Sequence, residues 1–357
     1  MRRPLERFAW RMWRGQAGVV GDVAQLLLLP LECVWRLATR TRNRRYDRRR
    51  GESVEGLSVV SLGNLAVGGT GKTPLAAWTA RCLVAMGARP ALLLRGYGQD
   101  EVALHRSWNP EVPVEAGADR VESARRVRAA GADVAVLDDG FQHRRLARGL
   151  DVVLLASEDP LPGPVLPRGP YREPLSALRR ADLVIFTRRS ATPEEARARQ
   201  ATLLTAGVLS EDAGTASVHL GPGPVRRLAD FQQGGKADDW SKGGMAGLEG
   251  RTSVALTAIA RPHAFRETIQ RLTGSPVELV AYADHHDYSA EDVRRVRHEA
   301  GARPIFITEK DAVKLVAHAE ALGDAWVVGQ RLTWDWGEEE VLERLRAVVA
   351  AREEQGA

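Results

Sequence analysis

The sequence predicts an α/β fold built on a parallel sheet with helices on both faces, and three observations predict it. Near-continuous apolar runs alternate with helical stretches between residues 57 and 190, the pattern of strands buried on both sides. A glycine-rich turn, Gly63-Asn64-Leu65-Ala66-Val67-Gly68-Gly69-Thr70-Gly71-Lys72-Thr73-Pro74, joins the first such strand to the first such helix. A second, shorter series of apolar runs and helical patterns follows residue 215. Three regions are therefore expected: a basic amphipathic segment over 1–50, a core over 51–214 and a smaller C-terminal α/β domain over 215–357.

With 44% hydrophobic and 27% charged residues, the 357-residue chain can bury a full core. Cys33 and Cys82 form no C-x-x-C, which argues against a disulfide framework or a thiolate metal site and fits a reducing compartment. Charge is unevenly spread. Residues 1–50 hold 13 Arg, no Lys and four acids, a balance of +9 against +5 for the whole chain, so the remainder is mildly acidic.

Residues 5–38 mix Phe8, Trp10, Trp13, Trp35 and the run Leu26-Leu27-Leu28-Leu29-Pro30-Leu31 with arginine. The six-residue run falls far short of the roughly 20 residues that span a bilayer. Asp22, Glu32 and Arg36 interrupt the segment and no small-residue cleavage site follows, which argues against a secretory signal. Tryptophans flanked by arginines suit a helix lying in the headgroup layer. Arg36, Arg40, Arg42, Arg44, Arg45, Arg48, Arg49 and Arg50 then form a polybasic stretch suited to an anionic membrane surface. A solvated basic linker is the bland alternative, and no nucleic-acid-reading motif accompanies the charge.

The strand expected at 57–62 delivers the chain into the glycine turn, and a helix is expected from Pro74, where a missing N–H costs nothing. Strand, glycine loop and helix in that order make a phosphate cradle. Gly68, Gly69 and Gly71 let successive N–H groups, including that of Thr70, face one anion; Lys72 reaches the outer phosphates and the Thr73 hydroxyl takes Mg²⁺. The strict pattern would place a glycine at position 66, where this chain has Ala66.

Further strands are expected at 90–94, 133–137, 151–156 and 182–187, with helices at 74–87 and 118–130. Ligands gather at the carboxyl ends of such strands. One end carries Arg95-Gly96-Tyr97-Gly98-Gln99-Asp100-Glu101, and another carries Asp138-Asp139-Gly140-Phe141-Gln142-His143. The paired aspartates are placed to hold a Mg²⁺ bound to phosphates, although turn chemistry alone also favours such pairs. Residues 157–174 contain six prolines and read as a stiff loop presenting Arg168 and Arg172.

In the second half, apolar runs at 254–260, 277–283 and 303–308 accompany helical patterns at 261–273, 289–300 and 337–352, with Ser289 and Asp292 resembling a capped start. The segment from Gln232 through Gly244 reads as disorder or a hinge. Two chemical-looking stretches are Asp284-His285-His286-Asp287-Tyr288 and Thr308-Glu309-Lys310-Asp311-Ala312-Val313-Lys314. Metal ligation, capping and active-site duty are all open to the histidines, though adjacent side chains point different ways.

Taken together, the glycine turn, Arg95-Gly96-Tyr97-Gly98, the Asp138–His143 run, Pro167 through Pro174, Asp284-His285-His286 and Thr308-Glu309-Lys310-Asp311 resemble the tetraacyldisaccharide 4'-kinase (lipid A 4'-kinase) family, in order, over roughly residues 15–345. The resemblance implies a P-loop NTPase-like core and transfer of the ATP γ-phosphate to the 4'-hydroxyl of an acylated glucosamine disaccharide 1-phosphate, at the cytoplasmic face of the bacterial inner membrane. It implies that Gly68 through Thr73 hold ATP, that Thr73, Asp138 and Asp139 hold Mg²⁺, and that Asn64, Glu101, Arg168 and Arg172 meet substrate. Asp100 takes the base position with His285, beside catalytic Lys72. The family separates that Asp-Glu from Arg-Gly-Tyr by a loop, whereas here Gln99-Asp100-Glu101 follows Gly98 directly. A monomer with no nucleic-acid partner is expected. The rival is a membrane-recruited P-loop ATPase switch that phosphorylates no lipid; that class carries a lysine where this chain has Val67.

Overall fold

The computed structural model describes residues 2–48, 51–96, 98–210, 212–233 and 247–356. Arg49, Arg50, Tyr97 and the Gly-rich stretch from Gly234 to Gly244 lie outside the described residues. Eleven strands are defined: β1 (Ser58–Asn64), β2 (Pro90–Leu94), β3 (Val114–Ala116), β4 (Val134–Asp138), β5 (Leu150–Ala156), β6 (Leu183–Arg188), β7 (Gly214–Arg227), β8 (Ser253–Thr257), β9 (Val277–Ala281), β10 (Ile305–Thr308) and β11 (Ala325–Trp336).

Two compact units emerge, and their boundaries differ from the expected ones. Unit 1 comprises Met1–Arg95, Glu115–Val218 and Trp334–Ala357; unit 2 comprises Gly96–Val114 and His219–Thr333. Two corrections follow. Residues 334–357 return to unit 1 because the helix Glu338–Gly356 packs against β1 and the helix Lys72–Ala85. Residues 96–114 leave the expected core because the helix Gln99–Trp108, a stretch for which the sequence predicts no element, packs on the helix Glu309–Leu315 of unit 2.

In unit 1 the strand order is β3-β2-β4-β1-β5-β6. Pairing is parallel across β2/β4, β4/β1, β1/β5 and β5/β6. Every residue of β2, β4 and β5 is buried, so both faces are covered, as the unbroken apolar runs require. Val59, Leu93, Ala135 and Leu137 share a cluster with Val121, Ala124 and Val127 of the helix Arg120–Ala129. That helix starts where Asp119 accepts from the Val121 and Glu122 N–H groups.

The first helix of the core begins at Lys72, two residues earlier than expected, with Gly71 (φ +88°) as its N-cap. Pro74 therefore sits inside the first turn, where its absent N–H still has no intrahelical acceptor to miss. Ala66 is also explained. It is extended, buried and bridged antiparallel to Tyr171, so the position needs no glycine.

The N-terminal segment is three helices, Arg2–Trp13, Gly18–Leu27 and Leu29–Asp47, and not one. They are tied into unit 1. The indole N–H groups of Trp13 and Trp35, expected at a bilayer surface, donate inward to the Pro167 and Arg172 carbonyls at 3.1 and 2.9 Å.

Unit 2 contains the parallel order β11-β10-β8-β9. The helix Ala290–Ala300 carries the expected capping box between Ser289 and Asp292. Gln232 and Gln233 fall in a short 3₁₀ turn, Leu228–Gln233, and not in the expected hinge. Ser289→Ala should destabilise the protein by about 1 kcal/mol, read as a lower denaturant midpoint at unchanged slope; no shift would show that the box contributes nothing.

Candidate active site

The end of β1 in unit 1 opens into the glycine loop. Gly68 (φ +107°) and Gly71 (φ +88°) occupy backbone conformations that side chains disfavour, which gives these glycines a geometric reason. Thr187 Oγ1 donates to the Thr70 carbonyl at 2.8 Å, and Arg189 donates to the Gly69 carbonyl at 3.1 Å. Those bonds fix two peptide planes of the loop. Thr73 lies in the first turn of the helix Lys72–Ala85, so the helix's positive end faces whatever the loop holds.

Lys72 is 14% exposed, and its ammonium lies 3.5 Å from Asp139 Oδ1. Asp139 is one of two non-glycine residues at positive φ (+60°) among the described residues, a strain that marks sites where a carboxylate must be aimed. Arg172 donates to both oxygens of Asp139 at 3.1 Å. Burial pushes the Asp139 carboxyl up, but Lys72 and Arg172 outweigh it and hold the group below the usual carboxylate range. Asp138 is buried at the end of β4. No group of three or more His, Cys, Asp or Glu side chains able to enclose a metal occurs among the described residues. The donor set here, a hydroxyl and one or two carboxylates, fits a Mg²⁺ that takes its remaining ligands from phosphate and water.

The proline-rich stretch is more than a stiff loop. Val67 N–H donates to the Pro170 carbonyl and Arg172 N–H to the Leu65 carbonyl, so the stretch is stitched to the phosphate loop and Arg172 is aimed by that stitching. Arg168 and Asn64 depart from expectation. Arg168 is paired with Glu32, a carboxylate 3% exposed that also accepts from Arg36 and the Val165 N–H, so it anchors the third N-terminal helix. Asn64 is wholly buried and donates to Thr70 Oγ1 at 2.9 Å, which makes it a strut of the loop. Sequence reasoning missed Arg120. Burial and nearby Arg95 push it down to about 10, against the pull of Asp139 and Asp138. Its signal was an arginine immediately after the capping Asp119.

Unit 2 holds a cluster of charged side chains of its own. Asp100 begins the helix Gln99–Trp108 and its side chain is 1% exposed. His285 Nδ1 lies 3.0 Å from both Asp100 oxygens. His285 is the second positive-φ residue (+60°), and Gly98 is confined beside the pair, since a Cβ there would lie 2.5 Å from Asp100 Oδ1. Lys314 Nζ lies 3.1 Å from Asp100 Oδ2, and Lys310 Nζ lies 3.2 Å from His285 Nε2. Burial would raise the Asp100 carboxyl; the His285 hydrogen bond and the charges of Lys310, His285 and Lys314 override it and hold it well below the usual range. The same hydrogen bond raises His285 against burial and Lys310.

The two histidines divide as adjacent side chains should. His286 stacks on Tyr282 and meets Asp292 at 3.1 Å, a structural role beside the helix cap. Glu101 contributes its backbone N–H to Asp100 Oδ1 at 3.1 Å. Lys310 and Lys314 are the residues the sequence displayed without assigning. They lie one turn apart on the helix Glu309–Leu315, which Thr308 caps through the Asp311 N–H.

The sequence profile of the family described as tetraacyldisaccharide-1-P 4'-kinase matches residues 24–103 and 99–350. The chain belongs to the tetraacyldisaccharide 4'-kinase family. A tetraacyldisaccharide 4'-kinase of Anaeromyxobacter dehalogenans (strain 2CP-C) is 41% identical, over 87% of each chain. One of Syntrophus aciditrophicus is 38% identical, over 81% of this chain and 84% of the relative. Among solved structures, LpxK from Aquifex aeolicus, crystallised in complex with ATP, matches with a TM-score of 0.68 at 24% identity, covering 91% of this chain and 99% of that one. The two matched segments overlap at residues 99–103, where Gly98 leads straight into the helix carrying Asp100.

Proposed function

We infer that this kinase transfers the γ-phosphate of ATP to the 4'-hydroxyl of a tetraacyl glucosamine disaccharide 1-phosphate, in lipid A biosynthesis. The observation that carries the assignment is the convergence of Lys72 and Arg172 on Asp139 at the mouth of a glycine loop. Two cations resting on one carboxylate are preplaced to take up phosphate oxygens. Gly68, Gly69, Thr70 and Gly71 supply the backbone cradle for ATP; Thr73, Asp138 and Asp139 are the residues that hold Mg²⁺. The ion supplies charge neutralisation at the phosphate oxygens when bound. Glu101, at the start of the helix that carries Asp100, is the residue assigned to substrate contact there.

Asp100 and His285 form the pair that takes the hydroxyl proton. A carboxylate held this far below its usual range is a weak base in isolation, but phosphoryl transfer asks for little proton movement until late. The ATP-site part of the proposal is tested by titrating purified protein with ATP and Mg²⁺. Micromolar to millimolar affinity is expected, and absence of binding by folded protein contradicts it.

The enzyme works on the cytoplasmic face of the bacterial inner membrane as a peripheral protein. What supports this is the outer surface of the N-terminal helices, where Val19, Val20, Leu26, Leu27, Val34 and Leu37 are each at least 65% exposed among arginines. Among the described residues no single helix is long and apolar enough to cross a membrane; Gly18–Leu27 and Leu29–Asp47, bent by 50°, meet the criterion only as a pair. Exposed leucine and valine between arginines suit lipid better than nucleic acid. One chain suffices, since every group named is on it. Val20→Asp with Leu27→Asp should lower partitioning onto anionic vesicles at least about tenfold while ATP affinity holds. Unchanged sedimentation with vesicles would refute the membrane face.

A further inference from the structure

The third N-terminal helix, Leu29–Asp47, has two working faces. Leu31, Val34 and Leu37 point outward and are 56 to 66% exposed. On the other side, at helical spacing, Glu32, Trp35, Asn43 and Tyr46 meet the body of unit 1. This inward row reaches the two segments that carry Arg172 and Asp139. Trp35 donates to the Arg172 carbonyl at 2.9 Å, and the Arg172 N–H donates to the Leu65 carbonyl at 2.6 Å, so the backbone of residue 172 is fixed from both sides.

Asn43 grips both segments at once. Its side-chain Nδ2 donates to Glu173 Oε2 at 2.6 Å, and its backbone carbonyl accepts from Arg144 Nη1 at 3.1 Å. Glu173 is the neighbour of Arg172, and Arg144 closes the run that opens with Asp138-Asp139. A carboxylate can only accept, so the amide nitrogen of Asn43 must face Glu173. Asn43 Oδ1 is buried with no hydrogen-bond partner among the described residues, so the Glu173 bond alone orients this side chain. Glu173 itself is fully buried, with Arg180 at 3.1 Å and Arg42 at 3.3 Å. Arg42 is 44% exposed, and water screens its hold.

We propose that Asn43 is a positioning residue for phosphoryl transfer: by tying the Arg172-Glu173 segment to the Asp138–Arg144 run, it keeps the Arg172 guanidinium seated on Asp139, where phosphate oxygens arrive. This rests on the reading of Arg172 as a phosphate-site residue and names what holds it there. Arg172 sits 3.1 Å from both Asp139 oxygens and 3.4 Å from Gln142 Oε1, and Gln142 in turn donates to the Asn64 carbonyl at 2.8 Å. Every one of those partners belongs to the loop or to the Asp138–Arg144 run, so a shift of the segment carrying Arg172 breaks the register between them. A displacement on the order of 1 Å at a reacting centre costs about a hundredfold in rate.

The experiment is a charge exchange across the bond. Asn43→Asp keeps the shape and sets a second carboxylate against Glu173; it should lower kcat by about ten- to a hundredfold while KM for ATP stays within about threefold of wild type. Asn43→Asp combined with Glu173→Gln reverses donor and acceptor, keeps the same net charge beside Arg42 and Arg180, and should return kcat to within about threefold of wild type. In an Arg172→Ala background Asn43→Asp should cost little more, since both act through one guanidinium. In nitrogen-15 NMR spectra, the Arg172 Nη–H signals, assigned by their loss in Arg172→Lys, should be resolved in the wild type and the exchanged double variant and averaged in Asn43→Asp. Asn43→Ala, which removes the donor without adding charge, should move both readouts the same way and carries the test if Asn43→Asp does not fold. Wild-type kcat in the single variants, a double variant no better than Asn43→Asp, losses that multiply with Arg172→Ala, or unaltered Arg172 signals each overturn the proposal. The NMR arm needs no turnover, so a wild-type protein that moves no phosphate counts against the kinase reading and leaves the seating of Arg172 to be judged by its spectrum.

Discussion

Lys72→Ala should lower kcat/KM about a thousandfold or more, with the far-UV circular dichroism and denaturation midpoint close to wild type. The size follows from what the ammonium does. Phosphoryl transfer is catalysed almost entirely by positioning and by charge stabilisation, and removing one preorganised donor of that kind costs two to three orders of magnitude or more. The fold should survive because Asp139, which the Lys72 ammonium approaches at 3.5 Å, keeps its two contacts to Arg172. Loss in kcat with little change in KM would mark an interaction made mainly in the transition state. Activity within tenfold of wild type would remove Lys72 from the machinery.

Asp100→Ala and His285→Ala should each reduce kcat by a factor of about 10² to 10⁴, the range general acid–base catalysis supplies. The double variant should be little worse than the poorer single one, because a ring held by one carboxylate and a carboxylate screened by that ring act as a unit. Losses that multiply would show two independent contributions. Asp100→Ala also strips the largely buried Lys314 ammonium of its 3.1 Å carboxylate partner, so some stability goes with it. Asp100→Asn, which keeps the shape and a polar tip, separates the two effects. It should retain more stability than Asp100→Ala while losing comparable activity.

Much of unit 1 was legible because its signals are local. The apolar runs of β1, β2, β4, β5 and β6, the glycine loop and the Asp138-Asp139 strand end all sit within short windows, and each falls within a residue or two of where periodicity places it. Ser289 and Asp292 were legible for the same reason. The misses have physical causes. β7 contains Gly221-Pro222-Gly223-Pro224, which reads as a turn, and β11 ends in Trp334-Asp335-Trp336, where Asp335 is held by Arg188 through two bonds of 2.6 and 2.7 Å that no local pattern announces.

Long-range partners were the other blind spot. Lys314 and Asp100 are separated by more than two hundred residues and meet only because the helix Gln99–Trp108 packs on the helix Glu309–Leu315. Arg168 looked identical to Arg172 as a loop arginine; only the fold shows one bound to buried Glu32 and the other aimed at Asp139. The polar runs of the N-terminal segment likewise gave no hint that Asn43 and Arg42 reach the fully buried Glu173.

The central claim is that the phosphate gripped at Gly68–Thr73 is delivered to the sugar of a lipid. Incubating purified protein with γ-labelled ATP, Mg²⁺ and tetraacyl glucosamine disaccharide 1-phosphate in mixed micelles tests it most directly. The account predicts label on the lipid at the 4' position, dependent on Lys72 and His285. Label released only as free phosphate, or an unmodified lipid in the presence of folded, ATP-binding protein, would contradict it.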